Sequence, residues 1–431
     1  MKSMALSALL LAFALTRVSE AQERPYLEAA RSAARWLRAT ALETEHGVTW
    51  PVVPAESARS STDLYSGSPG VVLFLLELSA ATEEDEPLAL ARAGADELVA
   101  TLPAAIGPEG AGLYTGVAGV GFVLAETWRA TGEASYRAAA LRCVELVRAA
   151  AVETGHGVRW TETTDVISGA AGTGLFLLYS AEVLERPQDV ELAARAGRHL
   201  VAIAEKSESG WAWSMDPSYP RRMPNFSHGT AGVAYFLACL HGATGGLDVL
   251  EAALGGARRL ESLADPQCAG LRVHHHAPGG EELYYLGWCH GPVGTARLFA
   301  RLDQLADERG WDERVRRCAL ALTSSGIPEA RPEGFWNNVG QCCGSAGVAE
   351  FMLDVGELDF AKKVADDVLA RGTREDGMLS WVQAEHRVRP ELLQAQTGTM
   401  QGAAGIGMML LHLDAAEHDP RARIRLPDDP Y

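Results

Sequence analysis

The chain contains 431 residues, of which 47% are hydrophobic and 22% are charged, a composition typical of a globular protein with room for two average domains or one domain built from repeats. Its formal net charge is −18, and its basic residues are scattered along predicted helices, whereas proteins that bind phosphate backbones cluster their Lys and Arg residues. Composition and charge therefore exclude a nucleic-acid-binding protein.

Residues 1–21 have the features of a secretory signal peptide. A basic residue precedes an apolar run over residues 5–15, and Ser19-Glu20-Ala21 places small residues at the cleavage positions. We therefore expect an exported protein, secreted or periplasmic, whose mature chain begins near Gln22. The alternative is that this run forms a first buried helix. A membrane span is not expected, because Arg17 ends the apolar run too early and no later stretch is long enough.

A Gly-x-x-Gly pattern recurs seven times along the chain, each time followed at once by a strongly apolar helical run. The glycine pairs are Gly67/Gly70, Gly116/Gly119, Gly169/Gly172, Gly229/Gly232, Gly291/Gly294, Gly344/Gly347 and Gly402/Gly405. Successive pairs lie 49 to 62 residues apart. One such pair would mean little, but seven in register indicate a structural repeat.

Between the apolar runs lie amphipathic segments, such as residues 134–151 and 192–205, with apolar residues at three- and four-residue spacing. Each repeat is therefore predicted to be a pair of helices, with the apolar helix inside and the amphipathic helix facing solvent. The predicted fold class is all-α: an α/α toroid of seven helical-hairpin repeats, about fourteen helices in an inner and an outer ring, formed by residues 22–431 as a single domain. A closed ring buries both ends of the array, which suits terminal repeats as apolar as the middle ones; an open solenoid is the alternative.

A second pattern, in which a glycine is followed closely by tryptophan, precedes several of the repeats. It occurs as Gly47-Val48-Thr49-Trp50, Gly157-Val158-Arg159-Trp160, Gly210-Trp211-Ala212-Trp213, Gly334-Phe335-Trp336 and Gly377-Met378-Leu379-Ser380-Trp381. We expect short extended loops or hairpins that cover one end of the ring, with the tryptophans packing and not binding a cofactor.

The residues just before each first glycine occupy equivalent places, so a ring would bring them to one end of its central cavity. Cys289, Cys342 and Cys343 stand there in two adjacent repeats, and thiolates are the ligands that zinc prefers. Three protein ligands leave a fourth position open, as in catalytic zinc sites. The alternative is that Cys342 and Cys343 form an adjacent disulfide or are inert core residues. Asp165 and His228 stand at the same end of their repeats.

The remaining cysteines do not suggest a disulfide framework, because seven is an odd number. Cys143, Cys239 and Cys318 fall within apolar helical patterns and are predicted to be buried small hydrophobes. His274-His275-His276 precedes a Gly-Gly turn, and we expect an exposed loop there and no metal site.

The chain resembles the lanthionine synthetase C-like family over essentially all of its predicted mature length. The resemblance is sharpest at Trp288-Cys289-His290-Gly291, Cys342-Cys343-Gly344, Ser227-His228-Gly229 and Asp165-Val166-Ile167-Ser168-Gly169. Members of that family are α/α toroids whose zinc is held by Cys, Cys and His, and which add a cysteine thiol across a dehydroalanine or dehydrobutyrine to form a thioether. The resemblance implies Cys289, Cys342 and Cys343 as zinc ligands, with His290 as a less favoured substitute.

Three features depart from the family pattern. Cys343 stands where the third ligand is usually His, and Tyr285 stands where bacterial cyclases tend to carry an Arg four residues before the first zinc cysteine, which puts enolate stabilisation by that route in doubt. The predicted export signal is the third departure, because peptide cyclisation by this family is usually intracellular.

The predicted function is zinc-dependent thiol addition by a monomer acting on a thiol-containing peptide or small molecule. His228 would act as general acid or base, and Asp165 would orient it or tune its pKa. Two alternatives stay open. One is a non-catalytic module that binds zinc and thiols. The other is a glycan-active α/α toroid that uses Asp63 and Asp165 as acid and base, although such aspartates can also simply satisfy loop and helix-terminal amides.

Overall fold

The computed structural model describes residues 24–56, 59–305, 310–330, 338–384, 391–418 and 423–431. The proposed signal peptide therefore lies outside the described residues, as does Gly334-Phe335-Trp336. Fourteen α-helices are described, numbered here in chain order. Seven of them begin at the first or second residue after the predicted first glycines: α2 Ser68–Thr82, α4 Val117–Thr131, α6 Ala170–Val183, α8 Thr230–Thr244, α10 Pro292–Leu305, α12 Ser345–Asp354 and α14 Ala403–His418.

These seven glycine-headed helices form the inner ring, since each packs against the next and α14 packs against α2. The outer helices are α1 Pro25–Thr40, α3 Asp85–Ala100, α5 Ala134–Ala149, α7 Asp189–Ile203, α9 Leu247–Ser262, α11 Trp311–Thr323 and α13 Leu358–Ala370. Six inner helices pack against the outer helix that follows them in the chain. The prediction of an α/α toroid is thus confirmed, and the alternative of an open solenoid is wrong.

The seventh hairpin joins the two ends of the described chain, because α14 takes α1 as its outer partner. The Arg24 guanidinium forms an ion pair with Asp414, and its Nε lies 3.1 Å from Asp414 Oδ1. The Tyr26 hydroxyl donates to Asp366 Oδ1 of α13 at 3.0 Å. The first outer helix therefore closes the ring.

In six of the seven pairs, the second glycine lies where the inner helix crosses the loop that precedes it; the exception is Gly70, which faces the Thr399 side chain. A Cβ atom built on Gly294 or Gly172 would fall inside the van der Waals radius of a backbone carbonyl oxygen, that of Trp288 or Val166 respectively. Glycine is therefore required at both positions, because only a residue without a Cβ atom allows this close backbone approach.

Short antiparallel hairpins follow four of the outer helices, as the Gly-and-Trp pattern predicts. They are β1 Leu42–Glu43 with β2 Val48–Thr49, β3 Val152–Thr154 with β4 Gly157–Arg159, β5 Glu205–Ser207 with β6 Gly210–Ala212, and β7 Thr373–Glu375 with β8 Met378–Ser380. A fifth hairpin pairs β9 Val382–Ala384 with β10 Leu393–Ala395, and a 3₁₀ turn spans Pro108–Ala111.

The tryptophans that end these hairpins are buried and bind the preceding outer helix. The indole N–H of Trp50, Trp160, Trp213 and Trp381 donates to the carbonyl oxygen thirteen residues earlier, at 2.7 to 2.8 Å. Each of these carbonyls belongs to the last turns of an outer helix, where intrahelical donors run out. The tryptophans therefore fix the helix ends, and the prediction of a packing role is confirmed.

Residues 423–431 lie inside the ring, against the inner helices. The Ile424 N–H donates to Glu77 Oε1 at 2.7 Å, and Arg297 Nη1 donates to the Asp428 carbonyl at 2.6 Å. The Asp428 carboxylate is fully buried, and it accepts from the Tyr114 hydroxyl at 2.9 Å and from the Trp288 indole at 3.2 Å. Because Trp288 precedes Cys289, this segment supports the cysteine-bearing end of the ring from within.

Within the described ranges, no helix combines the length and apolar content that a membrane crossing requires.

Candidate metal centre

Seven turns carry the chain into the inner helices, and their backbones are linked to one another. The residues concerned stand two places before each first glycine, and we call them the girdle: Tyr65, Tyr114, Ile167, Ser227, Cys289, Cys342 and Met400. Six of them donate the backbone N–H to the girdle carbonyl of the following repeat, with Met400 donating to Tyr65, at 2.9 to 3.1 Å. The girdle therefore holds equivalent side chains of successive repeats side by side.

Two of the predicted ligands, Cys289 and Cys342, are neighbours in the girdle, and Cys343 follows directly. Cys289 Sγ lies 3.0 Å from Cys343 Sγ, which lies 3.2 Å from Cys342 Sγ. All three sulfur atoms lie within 4.8 Å of one another. All seven cysteines are free thiols, so the alternative of a disulfide between Cys342 and Cys343 is not borne out.

The dimensions and chemistry of this cluster fit a zinc ion. Sulfur atoms bound tetrahedrally at about 2.3 Å from one ion would lie about 3.8 Å apart, so the separations of 3.0 and 3.2 Å would have to widen by less than about 1 Å. Burial, followed by hydrogen bonds with the two neighbouring thiols, raises the pKa of Cys342 well above its ordinary value. Three thiolates at this spacing would repel one another, so a bound cation is what would stabilise the ionised cluster. Among the described residues, no other group of His, Cys, Asp or Glu side chains converges in this way, and His290 is not part of the cluster.

His228 and Asp165, predicted from adjacent repeats, are brought into contact. His228 Nδ1 lies 2.6 Å from Asp165 Oδ2, and the carboxylate is almost fully buried. The other oxygen, Oδ1, accepts from the backbone N–H groups of Ser168 and Gly169, both at 2.9 Å. Backbone N–H groups of its own turn therefore hold the Asp165 carboxylate in place, and the carboxylate orients the imidazole ring of His228.

Asp63 occupies the position of Asp165 in the first repeat. Its Oδ1 accepts from the Ser66 N–H at 2.6 Å and from the Ser66 hydroxyl at 3.0 Å, and its Oδ2 contacts the Ser61 hydroxyl. No histidine contacts Asp63 in the described chain. The two aspartates share a role in turn formation, and Asp165 alone has an additional partner in His228.

A cavity of about 310 Å³ opens beside the cysteines, and Cys289, Cys342, His228, Asp63 and Tyr65 line it. Burial first, and then the charges of Cys342 and Cys343, raise the pKa of Tyr65 well above its usual range, so its phenol stays protonated. Sequence reasoning missed Tyr65. Its place in the girdle, equivalent to that of Cys289, is the signal that would have identified it.

The expectation of an exposed loop at residues 274–276 was wrong. His276 is buried, and burial lowers its pKa, while His275 Nδ1 lies 2.8 Å from His276 Nδ1. The His275 ring packs 4.0 Å from His290 and 4.4 Å from Tyr285, between ring centroids. His290 in turn lies 5.7 Å from His228. Tyr285 is therefore part of an aromatic cluster beside the site, formed because residues 274–276 fold back onto the turn of the fifth repeat.

Comparisons with known proteins identify the fold and the family. The sequence profile of the family described as "Lanthionine synthetase C-like protein" matches residues 59–423. No curated protein sequence matches the chain. Among solved structures, nisin cyclase superposes with a TM-score of 0.59 at 16% identity, over 90% of this chain and 92% of the cyclase. Cellobiose 2-epimerase from Bacillus thermoamylovorans superposes with a TM-score of 0.50 at 11% identity, over 91% of this chain and 99% of the epimerase. At these identities the structural matches show the fold alone, whereas the family profile spans most of the sequence: this chain belongs to the lanthionine synthetase C-like family.

Proposed function

We propose that this protein is a zinc-dependent enzyme that forms carbon–sulfur bonds by adding a thiol to the activated alkene of a dehydroamino acid. The observation that carries the proposal is the convergence of Cys289, Cys342 and Cys343 in one cluster. Two of its members, Cys289 and Cys342, line the same cavity as His228, which is held by Asp165. Membership of a family named for lanthionine synthesis supports the same reaction class.

Cys289, Cys342 and Cys343 would hold the zinc ion. When bound, zinc supplies a Lewis acid that lowers the pKa of a thiol at its open fourth position. The ionised Asp165 carboxylate can only accept hydrogen bonds, so Nδ1 of His228 carries a proton and Nε2 carries the lone pair. His228 is therefore set up as a base at Nε2.

In the proposed reaction, Nε2 of His228 accepts the proton of the incoming thiol. The sulfur then forms a bond to the β-carbon of a dehydroalanine or dehydrobutyrine, and the π electrons move onto the adjacent carbonyl oxygen to give an enolate. Nε2 returns its proton to the α-carbon, which restores the carbonyl group and completes the thioether. Asp165 stabilises the protonated ring between these two transfers.

Of the two alternative functions, one is disfavoured by specific observations and the other would use the same site. A glycan-active enzyme would need Asp63 and Asp165 as acid and base, but both carboxylates are engaged in their own turns, and Asp165 also contacts His228. A non-catalytic module that binds zinc and thiols would use the same ligands, so only turnover distinguishes it.

The test combines elemental analysis after anaerobic purification with thiol addition to dehydroalanine peptides. We expect one zinc ion per chain. Cys289→Ala should lose zinc and activity together, whereas His228→Ala should keep zinc and slow the addition by about 10²- to 10⁴-fold, the usual contribution of a positioned base. Loss of zinc from His228→Ala would make the histidine a ligand and contradict the assignment of Cys343.

A protein that binds zinc and small thiols but adds no thiol to any dehydroamino acid would be a binding module instead. A metal-free protein would contradict both the metal site and the proposed reaction.

We further propose that the protein is exported after removal of residues 1–21 and acts as a monomer on a thiol-containing peptide or small molecule. The apolar run over residues 5–15 motivates the proposal of export. N-terminal sequencing of the native protein should find Gln22 or a near neighbour first. An intact Met1 would contradict export.

A further inference from the structure

The girdle is interrupted at one place. Six consecutive links join its residues through backbone hydrogen bonds, but the link expected from the Ile167 N–H to the Ser227 carbonyl is missing. Within the described part of the chain, neither of these two groups has a hydrogen-bond partner. A buried backbone N–H or carbonyl is almost always paired, so an unpaired donor and acceptor at one seam require an explanation.

At this interruption, side chains join the two repeats in place of a backbone hydrogen bond. His228, the residue after Ser227, reaches across to Asp165, two residues before Ile167, with Nδ1 and Oδ2 2.6 Å apart. The interruption therefore lies directly beside the proposed base.

Ile167 and Ser227 also line the cavity of about 310 Å³ that contains Cys289 and Cys342. The unpaired donor and acceptor thus belong to residues of the same wall as the predicted metal ligands. A ligand in this cavity is positioned to meet the sulfur atoms, the imidazole of His228 and the interrupted backbone together.

The Ile167 N–H and the Ser227 carbonyl together offer one donor and one acceptor, and a secondary amide carries the matching acceptor and donor. Peptide groups bind in this way to exposed strand edges, where main-chain hydrogen bonds supply the affinity. In thiol addition to a dehydroamino acid, negative charge develops on the carbonyl oxygen next to the alkene, and a fixed backbone N–H is an effective stabiliser of such charge.

The chain also lacks the arginine that bacterial cyclases of this family tend to carry four residues before the position of Cys289. Tyr285 takes that place, is buried, and packs its ring 4.4 Å from the ring of His275. That position therefore supplies no guanidinium group to a developing oxyanion.

We propose that the interruption of the girdle is the docking site for the secondary amide of the substrate. The Ile167 N–H donates to the carbonyl oxygen that becomes the enolate, and the Ser227 carbonyl accepts the substrate N–H. This inference rests on the proposed thiol addition and assigns its acceptor substrate as a peptide-type amide, in preference to an ester or a free acid.

Hydrogen exchange followed by NMR tests the first step, using full-length zinc-loaded protein. The Ile167 amide should exchange with deuterium faster than the amide of Tyr114, its matched control one repeat earlier, whose N–H is bonded to the Ile167 carbonyl at 2.9 Å. Protection of the Ile167 amide equal to that of Tyr114 would overturn the inference.

Ligand binding tests the second step with unreactive probes. N-acetylalanine methylamide should slow exchange of the Ile167 amide and shift its resonance. N-acetylalanine methyl ester, which lacks the N–H that meets Ser227, should bind about 2- to 12-fold more weakly, the contribution of one hydrogen bond. An amide probe that binds without affecting the Ile167 resonance, or an ester that binds equally well, would overturn the inference.

A backbone ester in place of the Ile167 amide tests the role in catalysis. It should lower kcat by about 10²- to 10³-fold, as expected for one oxyanion donor, and leave the zinc content unchanged. An ester at Ile167 that keeps full kcat would overturn the inference while leaving thiol addition intact. A protein without zinc or thiol addition would instead contradict the proposed function, so the two failures are distinguishable.

Discussion

Replacing Asp165 by Asn tests the proposed orientation of His228 with little change in shape. The amide oxygen of Asn can keep the two hydrogen bonds from Ser168 and Gly169, both 2.9 Å long in the wild-type protein. The amide NH₂ group would then face His228 Nδ1, where Asp165 Oδ2 now lies 2.6 Å away. Because NH₂ is a donor, Nδ1 must become an acceptor, and the ring proton moves to Nε2.

A histidine protonated at Nε2 cannot accept the proton of the thiol. The corresponding change in a Ser-His-Asp triad lowers kcat by about 10⁴-fold, and we expect a loss of about 10²- to 10⁴-fold here. Zinc content should be unchanged, because neither residue belongs to the cysteine cluster. The unfolding free energy should change by less than about 2 kcal/mol, since the turn keeps its backbone hydrogen bonds.

Asp63→Asn is the matched control, because Asp63 fills the same position in the first repeat and makes similar turn contacts without a histidine partner. Steady-state thiol addition to a dehydroalanine peptide is the assay, and the control should stay within about twofold of wild type. Full activity of Asp165→Asn would refute the orienting role. Equal losses of thiol addition in both variants would show that the aspartates act only through their turns. If the wild-type protein turned over a glycan and both variants lost that activity, the glycan alternative would be correct.

Three further predictions concern the parts of the fold that support the site. Asp428→Ala should lower the unfolding free energy by about 3–5 kcal/mol in urea titrations, because it removes the carboxylate that pairs with the largely buried Arg297 guanidinium and accepts from Tyr114 and Trp288; a loss below about 1 kcal/mol would contradict this. Burial, followed by the charge of Glu350, raises the pKa of Asp354 to about 7. A raised pKa means that the stability contributed by the Asp354 carboxyl group is complete below its ordinary pKa near 3.8 and is lost as the pH rises through about 7. The unfolding free energy should therefore fall less between pH 5 and pH 8 in Asp354→Asn than in wild type. Trp160→Phe should lower the unfolding free energy by about 0.5–1.5 kcal/mol, because it removes the indole hydrogen bond to the Val147 carbonyl. Calorimetry should find the same loss for Trp213→Phe, which removes the equivalent bond, and unequal losses would contradict the shared role.

The sequence was sufficient to predict the ring because a glycine pair precedes every inner helix, and in six repeats the second glycine contacts a backbone carbonyl that leaves no room for a side chain. Gly172 and Gly294 meet backbone carbonyls in equivalent ways, so the pattern reports a backbone contact and not a side-chain preference. The sequence could not show that α1 completes the seventh hairpin. That pairing joins residues at opposite ends of the chain, and no local periodicity encodes it.

The cysteines and the His228–Asp165 pair were predictable for a related reason, since register within a repeat determines which residues meet at one end of a ring. His275 was not predictable, because its loop folds back from outside the repeat pattern to reach His290. The missing link between Ile167 and Ser227 is also invisible in sequence. The side chains at the five other girdle positions vary from Tyr to Cys and Met, so residue type does not mark these two positions, and the difference lies in backbone placement.

Closure of the ring by α1 and α14 also determines the order in which this protein can fold. The ion pair between Arg24 and Asp414 spans 390 residues, a separation that makes its formation entropically unfavourable until the intervening repeats are already packed. During synthesis, the apolar face of α1 lacks its partner α14 until the six intervening hairpins have formed. The wall of the cavity is likewise incomplete before α14, the last inner helix, emerges. The cysteines proposed as metal ligands are translated before closure and are therefore exposed in open intermediates, so the interval before closure is the period in which they are most vulnerable to oxidation.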